Sequence, residues 1–160
     1  MSAIKDQEPV AFSDEPESAA TPWGYALNVV GVYQDTVTHN WTVPMSRLVS
    51  QLAKEELVET KWYDVDSLSD AATFQEAVGA ARLADVIVIS VYAAEELPAN
   101  LYVWIDAWLP RRRARAGALT ALIGVPEERI SQLPPTIEYL QAIARKAQLD
   151  FIPQAQRLSV

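Results

Sequence analysis

Residues 84–110 read ADVIVISVYAAEELPANLYVWIDAWLP. The run Asp85–Ser90 (DVIVIS) is short, almost wholly apolar and β-branched, the composition of a strand buried on both faces of a parallel sheet. Pro98 is suited to the first turn of a helix, which is expected to run to Leu109, and Pro110 stops it. One strand followed by one helix within 27 residues is the unit from which doubly covered parallel sheets are built.

The same alternation extends in both directions. Ala26–Tyr33 (ALNVVGVY) is a second near-continuous apolar run. In Pro44–Lys54, Met45, Leu48, Val49 and Leu52 fall at i, i+3, i+4 and i+7, the stripe of an amphipathic helix. Val58–Val65 alternates as a half-exposed edge strand does. Ser69 is placed to cap a helix over 71–83 with Phe74, Ala77, Val78 and Ala81 turned inward. Ala116–Gly124 reads as a fourth strand, Thr136–Ala147 as a helix, and Leu149–Pro153 as a short fifth strand. The order βαβαβαβαβ with short connections predicts parallel strands, right-handed crossovers and a three-layer α/β/α sandwich, with strand order 2-1-3-4-5. A fifth helix would normally cover the first strand, and Gln154–Val160 is too short for it. The expectation is that the N-terminal tail or a second subunit covers that face, which makes a homodimer an expected partner arrangement.

The chain divides into an acidic tail, 1–24, and one domain, 25–160. The tail holds three prolines and the acids Asp6, Glu8, Asp14, Glu15 and Glu17 against Lys5 alone, so half of the net charge of −8 lies there. Such a charge repels phosphate, and neither a nucleic-acid nor an anionic-membrane surface is expected. There is no cysteine, which excludes disulfides, thiolate metal sites and cysteine nucleophiles. No signal-peptide pattern and no membrane-length apolar run occurs, so a soluble, cytoplasmic protein is expected.

In an open α/β sheet, ligands bind beyond the carboxyl ends of the strands, where strand order reverses. The loop after the first strand, 34–43, precedes a helix and carries Thr36, Thr38, Asn40 and Thr42, donors suited to a phosphate monoester. The same residues also read as a polar loop whose Asn40 or Thr42 caps the helix. His39, the sole histidine, is either an acid/base group beside that site or an exposed loop residue. With no second imidazole and no thiolate, no metal site is expected. On the helix within 84–110, Tyr102, Trp104 and Trp108 read either as a subunit interface or as core. Arg111, Arg112, Arg113 and Arg115 read as a solvated knot that complements the C-terminal dipole of that helix. A phosphoacceptor receiver domain shares the fold but needs an aspartate ending the third strand, an acidic pair after the first and a lysine after the fifth. Ser90-Val91, a lone Asp35 and Phe151-Ile152-Pro153 stand there instead.

Ala84–Pro110 resembles the third-strand and third-helix segment of the NADPH-dependent FMN reductase and flavodoxin-like families. Leu97-Pro98 is similar to their helix start, Leu101 to the leucine of a Leu-Lys pair, and Ile105-Asp106, followed by Trp108, to an Ile-Asp-Trp run. The resemblance spans residues 26–152, with its specific part in this segment, and the loop ending in Asn40 is loosely similar to the FMN-phosphate loop. It implies an FMN site in which Thr36, Thr38, Asn40 and Thr42 hold the phosphate, with Ser90 and Tyr92 beside the ring. The departures fall where that ligand would lie. Ser90-Val91-Tyr92-Ala93 replaces Pro-Glu-Tyr or a Thr-Tyr pair, Tyr102 replaces the lysine, and Gly124-Val125-Pro126-Glu127-Glu128 lacks the glycines of the ring-edge loop. The expected function is that of a flavodoxin-like domain with lost or altered FMN binding that works through protein contacts. The alternative is an FMN-binding NAD(P)H-dependent reductase or electron carrier.

Overall fold

β1 (Leu27–Tyr33) and β3 (Val86–Val91) are the apolar runs of the sequence, and both lie in the middle of the sheet. Alternate side chains of a strand point to opposite faces. Val30, Val32, Ile87 and Ile89 therefore feed one core, and Val29 and Val88 the other. In the computed structural model of the protein, which describes residues 27–53, 58–92, 95–113, 116–126 and 134–158, all five strands are parallel, in the order β2-β1-β3-β4-β5. β2 is Val58–Asp64, β4 Ala118–Pro126 and β5 Asp150–Leu158. The register is level across the sheet: Val29 pairs with Val86, Val86 with Ala118, and Ala118 with Asp150. The acidic stretch 1–24 lies outside the described residues.

The helices are α1 (Thr36–Asn40), α2 (Val43–Ala53), α3 (Ala71–Leu83), α4 (Ala99–Trp108) and α5 (Pro135–Ala147). Three of them, α3, α4 and α5, share the large core with Ile87, Ile89, Leu119 and Ile123. On the opposite face the buried set is only Val29, Val88 and Leu122, with Trp41, Met45, Val49 and Trp62 packed against it. Among the described residues no helix follows β5, which keeps its strand pairing to Leu158. That face is therefore open over β5, where Ile152 is 49% exposed, while Thr120 and Leu122 of β4 are buried. None of the described helices is long and apolar enough to cross a membrane.

Several local expectations change in detail. Residues 34–43 contain a helix, α1, where a plain loop was expected, because Asp35 and Thr38 cap each other's backbone. Asp70, not Ser69, caps α3: its carboxylate accepts from Thr73 N at 3.0 Å, while the Ser69 hydroxyl donates to Asp66 O within a 3-10 turn over Val65–Ser69. β5 runs past Pro153 because an edge strand tolerates a proline whose missing N–H faces outward. Trp104 and Trp108 are both fully buried in the large core, so the interface reading of these two tryptophans is overturned. Their rings meet edge to face at 5.9 Å. The arginine knot is not wholly solvated either. Arg112 is buried and donates to Ala81 O at 2.9 Å, completing the C-terminal carbonyls of α3 rather than those of its own helix. Arg111 and Arg113 are exposed, and Arg115 lies outside the described residues.

Two positions give sharp stability tests. A methyl on Gly31 would overlap the indole of Trp62, which lies flat over β1 from the neighbouring strand. Gly31→Ala is expected to lower stability by about 1–3 kcal/mol in urea denaturation, and by much less in a Trp62→Leu background. Gln148 ends α5 at φ 61°, a left-handed conformation that favours glycine. Gln148→Gly is expected to raise stability by roughly 0.5–1 kcal/mol in the same assay.

Candidate functional site

The reversal of strand order falls between β1 and β3, and the segments that leave their carboxyl ends meet there. Gln34 and Asp35 follow β1, and Tyr92 follows β3. α1 is held against this junction by a buried hydrogen bond from Ser90 Oγ to Thr38 O at 2.7 Å. Tyr92 N donates to Gln34 Oε1 at 2.6 Å, a second strap between the two strand ends. The structure thus brings Thr36, Thr38, Asn40, Thr42, Ser90 and Tyr92 into one neighbourhood.

Within it most of the hydroxyls are committed to the protein's own backbone. Thr38 is fully buried, and its Oγ1 accepts from Gln34 N at 2.8 Å and Asp35 N at 2.9 Å while donating to Asp35 O at 3.0 Å. Thr42 is also buried and donates to His39 O at 2.6 Å. Ser90 is spent on the Thr38 carbonyl. Thr36 and Asn40, at the two ends of α1, are exposed. His39 is half-buried among aromatic rings, with Tyr33 at 4.5 Å and Trp62 at 5.3 Å between centroids, so it is not the exposed loop residue of one expectation.

The residue that sequence reasoning passed over is Asp35. Its carboxylate sits at the N-terminus of α1, accepting from Thr38 N at 3.0 Å and from the Tyr92 hydroxyl at 3.0 Å. The Thr38 amide, the largest effect, with the Tyr92 and Thr38 hydroxyls holds its pKa below the ordinary value of 3.8 against the opposing effect of desolvation. Desolvation and the neighbouring carboxylate in turn push the Tyr92 phenol up, so it stays a donor. The signal was present in the sequence: an aspartate three residues before a threonine is a capping pair. Trp41 completes the cluster, its ring edge-on to Tyr92 at 5.5 Å.

The donor set does not fit a phosphate monoester. The N-terminal end of a helix attracts an anion, and here an ionised side chain of the protein already fills that position. A phosphate brought alongside would meet like charge, costing about 1 kcal/mol per unit charge at ~4 Å even in bulk water and about 4 at an intermediate dielectric. α1, five residues long, offers little dipole to offset this. The two best-placed hydroxyls, of Thr38 and Ser90, would have to abandon backbone partners to reach it. Residues 93, 94 and 127–133, in the connections that leave β3 and β4, lie outside the described residues.

The aromatic pattern found elsewhere in the 84–110 segment is structural. Leu97, Leu101 and Ile105 are buried, and the Tyr102 hydroxyl accepts from Leu97 N at 3.1 Å while its ring meets Tyr139 edge to face at 5.1 Å. Comparison of the sequence with models of known protein families and with characterised proteins gives no match.

A titration tests the role of Asp35. Because its carboxyl is lowered in the folded state, its contribution to stability is present above the ordinary value of 3.8 and is lost as pH falls through the lowered value. Acid unfolding of Asp35→Asn is expected to lack this part of the pH dependence below about pH 4. At neutral pH, Asp35→Ala is expected to cost about 1 kcal/mol as a lost helix cap.

Proposed function

We propose that this chain is a flavodoxin-like domain whose flavin site has closed, and that it works through protein contacts rather than by redox chemistry. The single observation that carries this reading is the ionised Asp35, seated at the helix terminus where a flavin phosphate would be held. It is supported by the commitment of the Thr38, Thr42 and Ser90 hydroxyls to backbone carbonyls. It is supported also by Tyr92, whose hydroxyl is tied to Asp35 and whose ring packs at a steep angle against Trp41, so that the residue is held by the protein's own contacts. The Ala84–Pro110 resemblance then reflects mainly retained core packing: its apolar matching positions Leu97, Leu101, Ile105 and Trp108 are buried, while Asp106 is exposed.

The expected result is a colourless purified protein in which excess FMN neither quenches tryptophan fluorescence nor raises the melting temperature. With four of the five tryptophans (Trp41, Trp62, Trp104 and Trp108) among the described residues and Trp41 beside Tyr92, bound flavin would be reported directly. A yellow preparation, or saturable quenching, sinks the proposal and favours an FMN-dependent reductase or electron carrier. In that event Asp35→Asn would tighten the binding; under the present reading it has no flavin binding to change.

A further inference from the structure

The open part of this sheet face forms an apolar groove of about 440 Å³ between α2 and β5. Met45 and Leu48 wall it on the helix side, and Val86, Ala118, Thr120 and Ile152 on the sheet side. Leu48 is 52% exposed and Ile152 49%, on a parallel sheet whose other face is sealed by three helices. Parallel sheets occur almost only with both faces covered. Among the described residues no charged side chain lines the groove, which suits an uncharged, largely apolar occupant.

We propose that the occupant is the chain's own segment 18–26, with Trp23 in the groove. Three observations select it. The first is charge. Glu17 is the last acid before β1, and the nine residues Ser18–Ala26 carry no charge while bringing Trp23 and Tyr25. The five acids of the tail all lie farther out, where they stay in water.

The second is reach. β1 begins at Leu27, two residues before Val29, which is level with Val86 and Ala118. Ala118 is two strand spacings from β1, about 10 Å sideways, and about 7 Å along the strand direction. The separation of about 12 Å is matched by the four residues from Trp23 to Leu27, which span up to ~14 Å when extended. The third concerns the rival occupant. A second copy would bring another net charge of −8, and it would meet at the edge strand a proline, Pro153, that interrupts any hydrogen-bonded extension of the sheet. A tethered segment has neither obstacle and is present at high effective concentration. The proposal stands apart from the flavin reading, because the groove lies on the sheet face and not at the strand ends.

The test uses the full chain and its lack of cysteine. A nitroxide on Ala20→Cys is expected to remove most of the amide signal intensity of Leu48, Ala118, Thr120 and Ile152. Glu138 and Arg145, on a helix of the opposite face, should keep theirs. Isotope-labelled wild-type chain mixed with unlabelled spin-labelled chain should show no such loss. Trp23→Ala, without any label, is expected to shift the amide resonances of Met45, Thr120 and Ile152. Loss that appears in the mixed sample as well would mean that a second copy fills the groove and overturns the proposal. Groove signals that survive the label, or that ignore Trp23→Ala, overturn it as well.

Discussion

Five strands held in one parallel register oblige the chain to cross over the sheet after every strand, and each crossing must bring something to cover a face. β1, β3 and β4 satisfy that demand on the α3, α4 and α5 side, where Ile87, Ile89, Leu119, Ile123 and the two tryptophans of α4 form a closed core. On the other side one helix, α2, covers Val29 and Val88, and β4 and β5 continue beyond it. The inequality between the faces follows from where β5 leads. A fifth crossing, after β5, would have supplied the second helix, and β5 instead keeps its pairing with β4 to Leu158.

The same parallel arrangement places the ends of β1 and β3 side by side, the position at which such sheets present ligand-binding loops. What the chain does there is unusual in its chemistry. The short α1 is fastened by Ser90 to the end of β3, capped by Asp35, and closed over by Tyr92 and Trp41. Each of these contacts fills a need that a bound anion would otherwise fill: a partner for the helix terminus, acceptors for the hydroxyls and a neighbour for the aromatic ring. The junction is complete on its own terms, and its charge has the sign that turns phosphate away.

Stability and site are linked through this junction. Thr38 is buried and serves as both donor and acceptor within α1, while its carbonyl receives the Ser90 hydroxyl. A domain that relied on this loop to bind and release a ligand would have to break bonds that tie α1 to the sheet. The open groove makes no comparable demand. It lies over β strands whose backbone is already paired, so an apolar side chain entering it displaces water without disturbing the fold.

Fold class, strand order and the bare sheet face were readable in the sequence, because burial on two faces writes itself as apolar runs such as Asp85–Ser90, and coverage by helices as the stripe Met45, Leu48, Val49. The identity of the loop residues was readable too, and so was the uncharged segment between Glu17 and Leu27. What those loop residues bond to was not. Whether Thr38 faces a ligand or its own backbone depends on the exact approach of Asp35, and the burial of Trp104 and Trp108 depends on three helices converging on one face. A sequence states which groups can donate, accept or pack. Only the tertiary structure assigns partners, because partnership is a matter of distances between segments as far apart in the chain as Thr38 and Ser90.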